Sequence, residues 1–265
     1  MEPLQLPEGD VVATHPATLT GRILAVLMLM LPGGALIWAA TQAQGTRADA
    51  RIPLIAAGVT LVILGILALV QQNRSQVVVR ADGLERWGLR GRLWALRWAD
   101  MIELRYRAVK VRLYHVIPVG TTIYITLTDP HGKKHRVPSN MKAMDILAER
   151  IADQQTAVRF SEARAIIDRG EEVRFGKALI VDREKLSARK LFGGYKSCPI
   201  TDIEKVAVEN GFLRIRQRGK LLGFGGGNIG SIPNVFLFLR LLDSLIGRAS
   251  AIPQDRQFAA QRSVG

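Results

Sequence analysis

The chain has 265 residues, 48% of them apolar, with 37 Lys and Arg against 23 Asp and Glu for a net charge of +14. An apolar share of that size excludes a disordered chain. The single cysteine, Cys198, excludes a disulfide framework and any zinc site built on several thiolates.

Residues 1–22 read as a polar N-terminal tail. Two uncharged runs follow. The first, ILAVLMLMLPGGALIWAA at 23–40, has about the length a helix needs to cross roughly 30 Å of hydrocarbon. Glu2, Glu8 and Asp10 precede it where a cleaved signal peptide would carry a basic cluster. The second, IPLIAAGVTLVILGILALV at 52–70, ends in Gln71, Gln72, Asn73 and Arg74, a polar exit from a bilayer. Together they predict a two-helix transmembrane hairpin over 23–73. Pro32, Gly33 and Gly34 interrupt the first helix, where they kink it or allow close packing. Beyond residue 70 lie 34 of the 37 basic residues and 19 acids, a net of +15. By the rule that short cytoplasmic flanks are basic, that region faces the cytoplasm and both termini share its side.

From 76 onward the period shortens to that of strands: VVVR, LERWG, LWALRW, VKVRLYHVI and TTIYITLT, with turns at Asp82-Gly83 and Asp129-Pro130-His131-Gly132. Met141, Met144, Leu147, Ala148 and Ile151 then recur at helical spacing behind Ser139-Asn140, which predicts a closing helix over about 140–154. The order repeats about 102 residues on. Leu84 precedes Trp98, Asp100 and Leu104 by 14, 16 and 20 residues, and Leu186 precedes Ile200, Asp202 and Val206 identically. The repeat continues through Gly132-Lys133 against Gly219-Lys220 and ends in a helix from about Asn234. The boundaries read as a first module at 74–156, a linker helix at 157–170 capped by Gly170, a second module at 171–248 and a tail at 249–265. Val158, Ala165 and Ile166 of the linker are expected to bind one module to the other.

Several short strands closed by one helix in about 80 residues form a small antiparallel barrel or curved sheet, the order of the pleckstrin-homology-like (PH-like) superfold. The fold class expected is therefore membrane-anchored α+β. Asp82-Gly83-Leu84 leading to Arg97-Trp98, Gly170-Glu171 before Phe175-Gly176, Asn210-Gly211 and Ile232-Pro233-Asn234 carry a closer likeness. Through them the chain resembles an uncharacterised bacterial family of two-helix membrane proteins with tandem PH-like modules, over residues 76–248. The resemblance implies an inner-membrane protein and no particular activity.

A catalytic constellation is not visible. His15 falls in the tail, His115 on a strand face with Val109, Val111, Leu113 and Ile117, and His131 and His135 flank a turn, none at triad or metal-site spacing. Cys198 beside Pro199 reads as a small buried residue. Gly225-Gly226-Gly227-Asn228-Ile229-Gly230 has the glycine spacing of a dinucleotide fingerprint, yet it follows antiparallel strands and no acidic strand follows it. It reads as a flexible connection, so no cofactor is expected. Basic residues mixed with aromatics are the remaining candidates. In the first module these are Arg86, Trp87, Arg90 and Arg92, with Lys133 and Lys134 at the later turn; in the second they are Arg189, Lys190 and Lys196 around Phe192. Arg214, Arg216 and Arg218 share one strand face, opposite Leu213 and Ile215.

Each Lys or Arg near an anionic leaflet is worth roughly 1 kcal/mol, and no recognition helix, RNP-like strand pair or zinc finger suggests nucleic acid. The sequence therefore predicts a non-enzymatic membrane scaffold whose modules contact anionic lipid or a partner protein. The alternative is an accessory subunit acting through its helices, with the modules as a structural cap.

Overall fold

The computed structural model describes residues 6–19, 23, 26–42, 48–113, 117–190, 193–209, 211–220 and 224–247. His115, Phe192, Asn210, Arg47 and the tail at 249–265 lie outside the described residues. The chain is α+β, with several small antiparallel sheets and, among the described residues, four α-helices. It divides into two compact units: Gln5–Leu96 with Asn140–Ala143, and Arg97–Ser139 with Met144–Gly265.

The first unit contains a departure from the sequence reading. Residues 11–16 are not tail but strand β1 (Val11–Pro16), which pairs antiparallel with β2 (Gln76–Arg80) from Val11↔Arg80 to Pro16↔Gln76. β3 (Gly83–Gly88) and β4 (Gly91–Arg97) complete a sheet of order β1-β2-β3-β4. His15 lies buried in β1 with Nδ1 3.0 Å from the Lys142 carbonyl. The apolar helices are thus an excursion between two paired strands, leaving after Ala17 and returning at Ser75, whose carbonyl accepts from the Ala17 N–H at 3.1 Å.

Within that excursion a π-helical stretch (Val26–Met30) leads into α1 (Leu31–Gln42), and α2 (Ala48–Arg74) follows. Arg51–Arg74 is long and apolar enough to cross a bilayer, whereas Val26–Gln42 makes a shorter apolar helix. α1 and α2 pack side by side, and glycines make this possible. A Cβ on Gly33 would lie 2.8 Å from the Gly58 carbonyl oxygen, and one on Gly58 2.6 Å from Ile37 Cγ1, while around Gly34 there is open space. Of the Pro32-Gly33-Gly34 triplet, Gly33 therefore serves close approach.

The far end of the sheet is clasped by the chain before β1. Asp82 accepts from the N–H groups of Glu8 and Gly9 at 2.7 and 2.8 Å. At Gly83 any Cβ would meet the Leu96 carbonyl oxygen at 2.6 Å and Pro7 at 2.7 Å, which accounts for glycine in the Asp-Gly turn.

The second unit holds three sheets. β5 (Glu103–Leu113), β6 (Ile117–Thr128) and β7 (Lys134–Val137) form one. β8 (Val173–Phe175), β9 (Leu179–Val181), β10 (Lys185–Arg189) and β11 (Tyr195–Pro199) form the next, and β12 (Ile203–Glu209), β13 (Phe212–Gln217) and β14 (Gly225–Asn228) the third. Four strands, a 3-10 turn, three strands and a helix thus occur twice in chain order, with 3-10 turns at Trp98–Asp100 and Ile200–Asp202. The paired positions fall on like elements. Leu84 and Leu186 are fully buried on the third strands of their sheets, and Met101 and Ile203 directly follow the two 3-10 turns, also buried.

The closing and linker helices expected separately are one, α3 (Met144–Asp168). No glycine or proline breaks it before Gly170, whose N–H bonds the Ile167 carbonyl at 2.9 Å with φ at 81°, a left-handed C-terminal cap. Nor does it start at Asn140: Ala143 takes a positive φ, and Met141 bridges to Ala17 instead. Val158 and Ala165 are exposed, and Ala163 and Ile167 face inward in their place. α4 (Val235–Ile246) packs on α3, burying Leu237, Phe238, Leu241 and Leu242. Arg240 sits 4.8 Å over the Phe160 ring. The glycine run at 225–227 is no loose connection but β14, paired to β13 through Gly227↔Leu213, Gly226↔Arg214 and Gly225↔Ile215.

Candidate functional site

Part of the first basic cluster turns towards a buried carboxylate. Glu85 on β3 is 1% exposed. It meets Arg80 Nε at 3.2 Å and Arg92 Nη1 at 3.5 Å, and accepts from the Trp87 indole N–H at 3.0 Å. A carboxylate taken from water needs such partners; the Trp87 indole N–H is committed to it, while Arg92 reaches it at 3.5 Å with its side chain still 36% exposed. Arg86 is half-buried, and burial lowers its pKa from the usual guanidinium value. Arg90, at the β3–β4 turn, is exposed.

At the β6–β7 turn, Lys133 and Lys134 are exposed around a buried pair. His135 Nε2 lies 2.9 Å from Asp129 Oδ2. Burial works against the Asp129 charge. The His135 hydrogen bond, together with the N–H groups of Lys133 and His131, outweighs it and holds the carboxyl below its usual range. The turn is a structural knot that leaves its two lysines at the surface.

Arg189, Lys190 and Lys196 lie at the end of the β10–β11 hairpin, all exposed, but not on one face. Arg189 pairs with Tyr195 and Lys196 with Ala188, and successive strand residues point to opposite faces. Lys196 instead stands 5.4 Å over the Phe224 ring. Cys198 is buried, its thiol pKa raised first by burial and then by Asp202, with Lys220 and Lys196 opposing.

The most coherent basic surface is on β12 and β13. Leu213, Ile215 and Gln217 are buried while Arg214, Arg216 and Arg218 alternate outward, the face expected from their spacing. Register adds what spacing could not show: Lys205 stands opposite Arg216, and Arg214 is flanked by Ala207 and Gly226. Small neighbours leave the Arg214 guanidinium open, with a solvated contact to Glu209 at 3.5 Å. Among the described residues no group of three or more His, Cys, Asp or Glu is placed to hold a metal ion.

Ile232-Pro233-Asn234 has a structural role. Asn234 takes a left-handed conformation ahead of α4. Its Oδ1 accepts from the Leu104 N–H at 2.6 Å and from Gln155 Nε2 at 3.2 Å, and its Nδ2 donates to the Ile102 carbonyl at 2.8 Å. One side chain fastens the start of α4 to β5 and α3.

Fold and surface thus define an α+β protein of small antiparallel sheets bearing an apolar helix of membrane-crossing length. The chain belongs to the family of unknown function DUF6585, whose model matches residues 9–248. The match begins two residues before β1 and so takes in the N-terminal strand and the apolar helices, as well as the region after 76. None of the curated proteins matches the chain.

Proposed function

We propose that this protein is a non-enzymatic scaffold of the bacterial cytoplasmic membrane, anchored by α1 and α2 as a two-span hairpin, with both termini cytoplasmic. Its two sets of strands and helix are PH-like modules, and their basic surfaces rest on anionic headgroups. The anchor is supported by α2, which leaves Ile52, Ile55, Val59, Ile63, Ile66 and Leu67 exposed. An apolar surface that continuous has no stable place in water.

The observation that carries the lipid reading is the outward row of Arg214, Arg216 and Arg218 with Lys205 across from Arg216. A tethered surface needs little intrinsic affinity, since each basic side chain near an anionic leaflet adds roughly 1 kcal/mol. The test is lysine footprinting of the full chain in liposomes. Lys196, Lys205 and Lys220 should be acetylated several-fold more slowly in anionic than in neutral bilayers, with the difference abolished near 1 M salt, where the Debye length is about 3 Å. Equal modification in both bilayers would remove lipid as the ligand and leave a protein partner.

A further inference from the structure

The junction between α2 and the first sheet is too short to be flexible. α2 ends at Arg74 and β2 begins at Gln76, so Ser75 alone joins them. The Ser75 N–H bonds the Gln72 carbonyl at 3.2 Å, and the Ala17 N–H closes onto the Ser75 carbonyl from the other strand. One residue spans at most about 4 Å, which gives the sheet no room to swing away from the helix end.

Strand direction then fixes which edge of the sheet lies beside that end. β2 runs away from the helix and β3 runs back, placing Trp87 opposite Gln76. The β3–β4 turn overshoots Gln76 by two or more residues, about 7 Å, and β3 packs against α2. The turn therefore stands level with the helix exit Gln71-Gln72-Asn73-Arg74, while the Asp82 clasp lies at the opposite edge. At the helix-side edge Leu89 is 37% and Leu93 54% exposed, and Arg90 is exposed between them. Lys142, whose N–H bonds the Pro16 carbonyl at 2.8 Å, is exposed at the same edge. Two bared leucines on either side of an exposed arginine suit the boundary between acyl chains and phosphates, where the apolar side chain sinks and the cation stays wet.

We infer that the β3–β4 turn is a second membrane contact, seated in the headgroup layer of the bilayer that α2 crosses. Leu89 and Leu93 reach the acyl boundary, and Arg90, Arg74 and Lys142 face lipid phosphate. The inference rests on the anchor proposed above and adds to it a named interfacial element. With helices and turn both held, the first sheet has a fixed tilt on the membrane.

The test uses the full chain with Cys198→Ala and one new cysteine at a time, labelled with a polarity-sensitive fluorophore in anionic liposomes. Leu67→Cys reports the anchor, Leu89→Cys the turn and Ala81→Cys the opposite edge. The Leu89→Cys label should emit to the blue of the Ala81→Cys label and be quenched several-fold better by a headgroup-region lipid quencher than by aqueous iodide. A Leu89→Cys label as open to iodide as the Ala81→Cys label, with the Leu67→Cys label still protected, overturns the inference and leaves the anchor standing. Iodide access at Leu67→Cys overturns both.

Discussion

Tyr106 is the side chain whose acid–base behaviour the fold changes most visibly. Burial, helped by the charge of Asp145, pushes its phenol up to about 12, and its ring meets Phe236 edge to face at 5.5 Å. Between pH 10 and 12 the unfolded chain has released this proton and the folded chain has kept it. The stabilisation is therefore complete below pH 10 and lost as pH climbs towards 12. Two pKa units correspond to about 2–3 kcal/mol. Tyr106→Phe should keep the ring contact and flatten that loss, so urea midpoints at pH 9 and pH 11 should converge in the variant and diverge in the parent. The same scale shows where sequence reading stops. The alternation of arginine and tryptophan around Trp87 was legible, yet the diversion of Trp87 and Arg92 onto Glu85 was not, because that contact depends on how β3 lies between its neighbours. Asn234 was likewise visible as part of a motif, while its partners Ile102 and Leu104 lie about 130 residues away in the chain.

Among the elements, the two apolar helices owe their contact to glycine more than to shape. A side chain at Gly58 would collide with Ile37 and with the Gly33 carbonyl, and one at Gly34 would meet nothing. Gly58→Leu should cost about 1–3 kcal/mol by overpacking, read as a lowered unfolding midpoint in detergent, whereas Gly34→Leu should stay within about 0.5 kcal/mol. A midpoint unchanged in both would mean that the helices do not pack through this face. Element type was well signalled by hydrophobic period, as with α4 and the alternating β13. Element extent was not. α3 runs through the expected break near 156 because nothing in 144–168 stops a helix, and an inward Ala163 and Ile167 continue its buried stripe. β14 is three glycines and an asparagine, a composition with no strand signal, and its structure comes entirely from pairing with β13.

At the scale of the molecule, composition separated the apolar runs from the charged remainder without difficulty. It could not show that one is nested in the other, since VVATHP is six residues long and its partner strand is about 60 residues away. The nesting makes a concrete forecast about dissection. Replacing residues 18–74 with Asn-Gly, a two-residue turn suited to a β-hairpin, should join Ala17 to Ser75 and give a soluble, folded chain. Cutting at 76 removes β1 and bares the edge of β2, whose Val77, Val78 and Val79 are buried in the intact protein, and such an edge invites aggregation. Size-exclusion elution and far-ultraviolet circular dichroism of the two forms decide the matter. A monodisperse 76–265 fragment with native strand content would show that β1 is dispensable.

If the helices form the two-span anchor proposed above, nesting also ties the first sheet to insertion. β1 leaves the ribosome first, and the 59 residues between Pro16 and Gln76 delay its partner by roughly 3–12 s at ordinary synthesis rates. Throughout that interval the strand lacks its partner. In the two-span topology proposed above, the ladder would close only after the chain had crossed and come back. A polypeptide that crosses once leaves β1 on one side and β2 on the other, with no sheet on either. Under that proposal the β1–β2 ladder records correct threading, and a molecule threaded once would carry a bare strand edge.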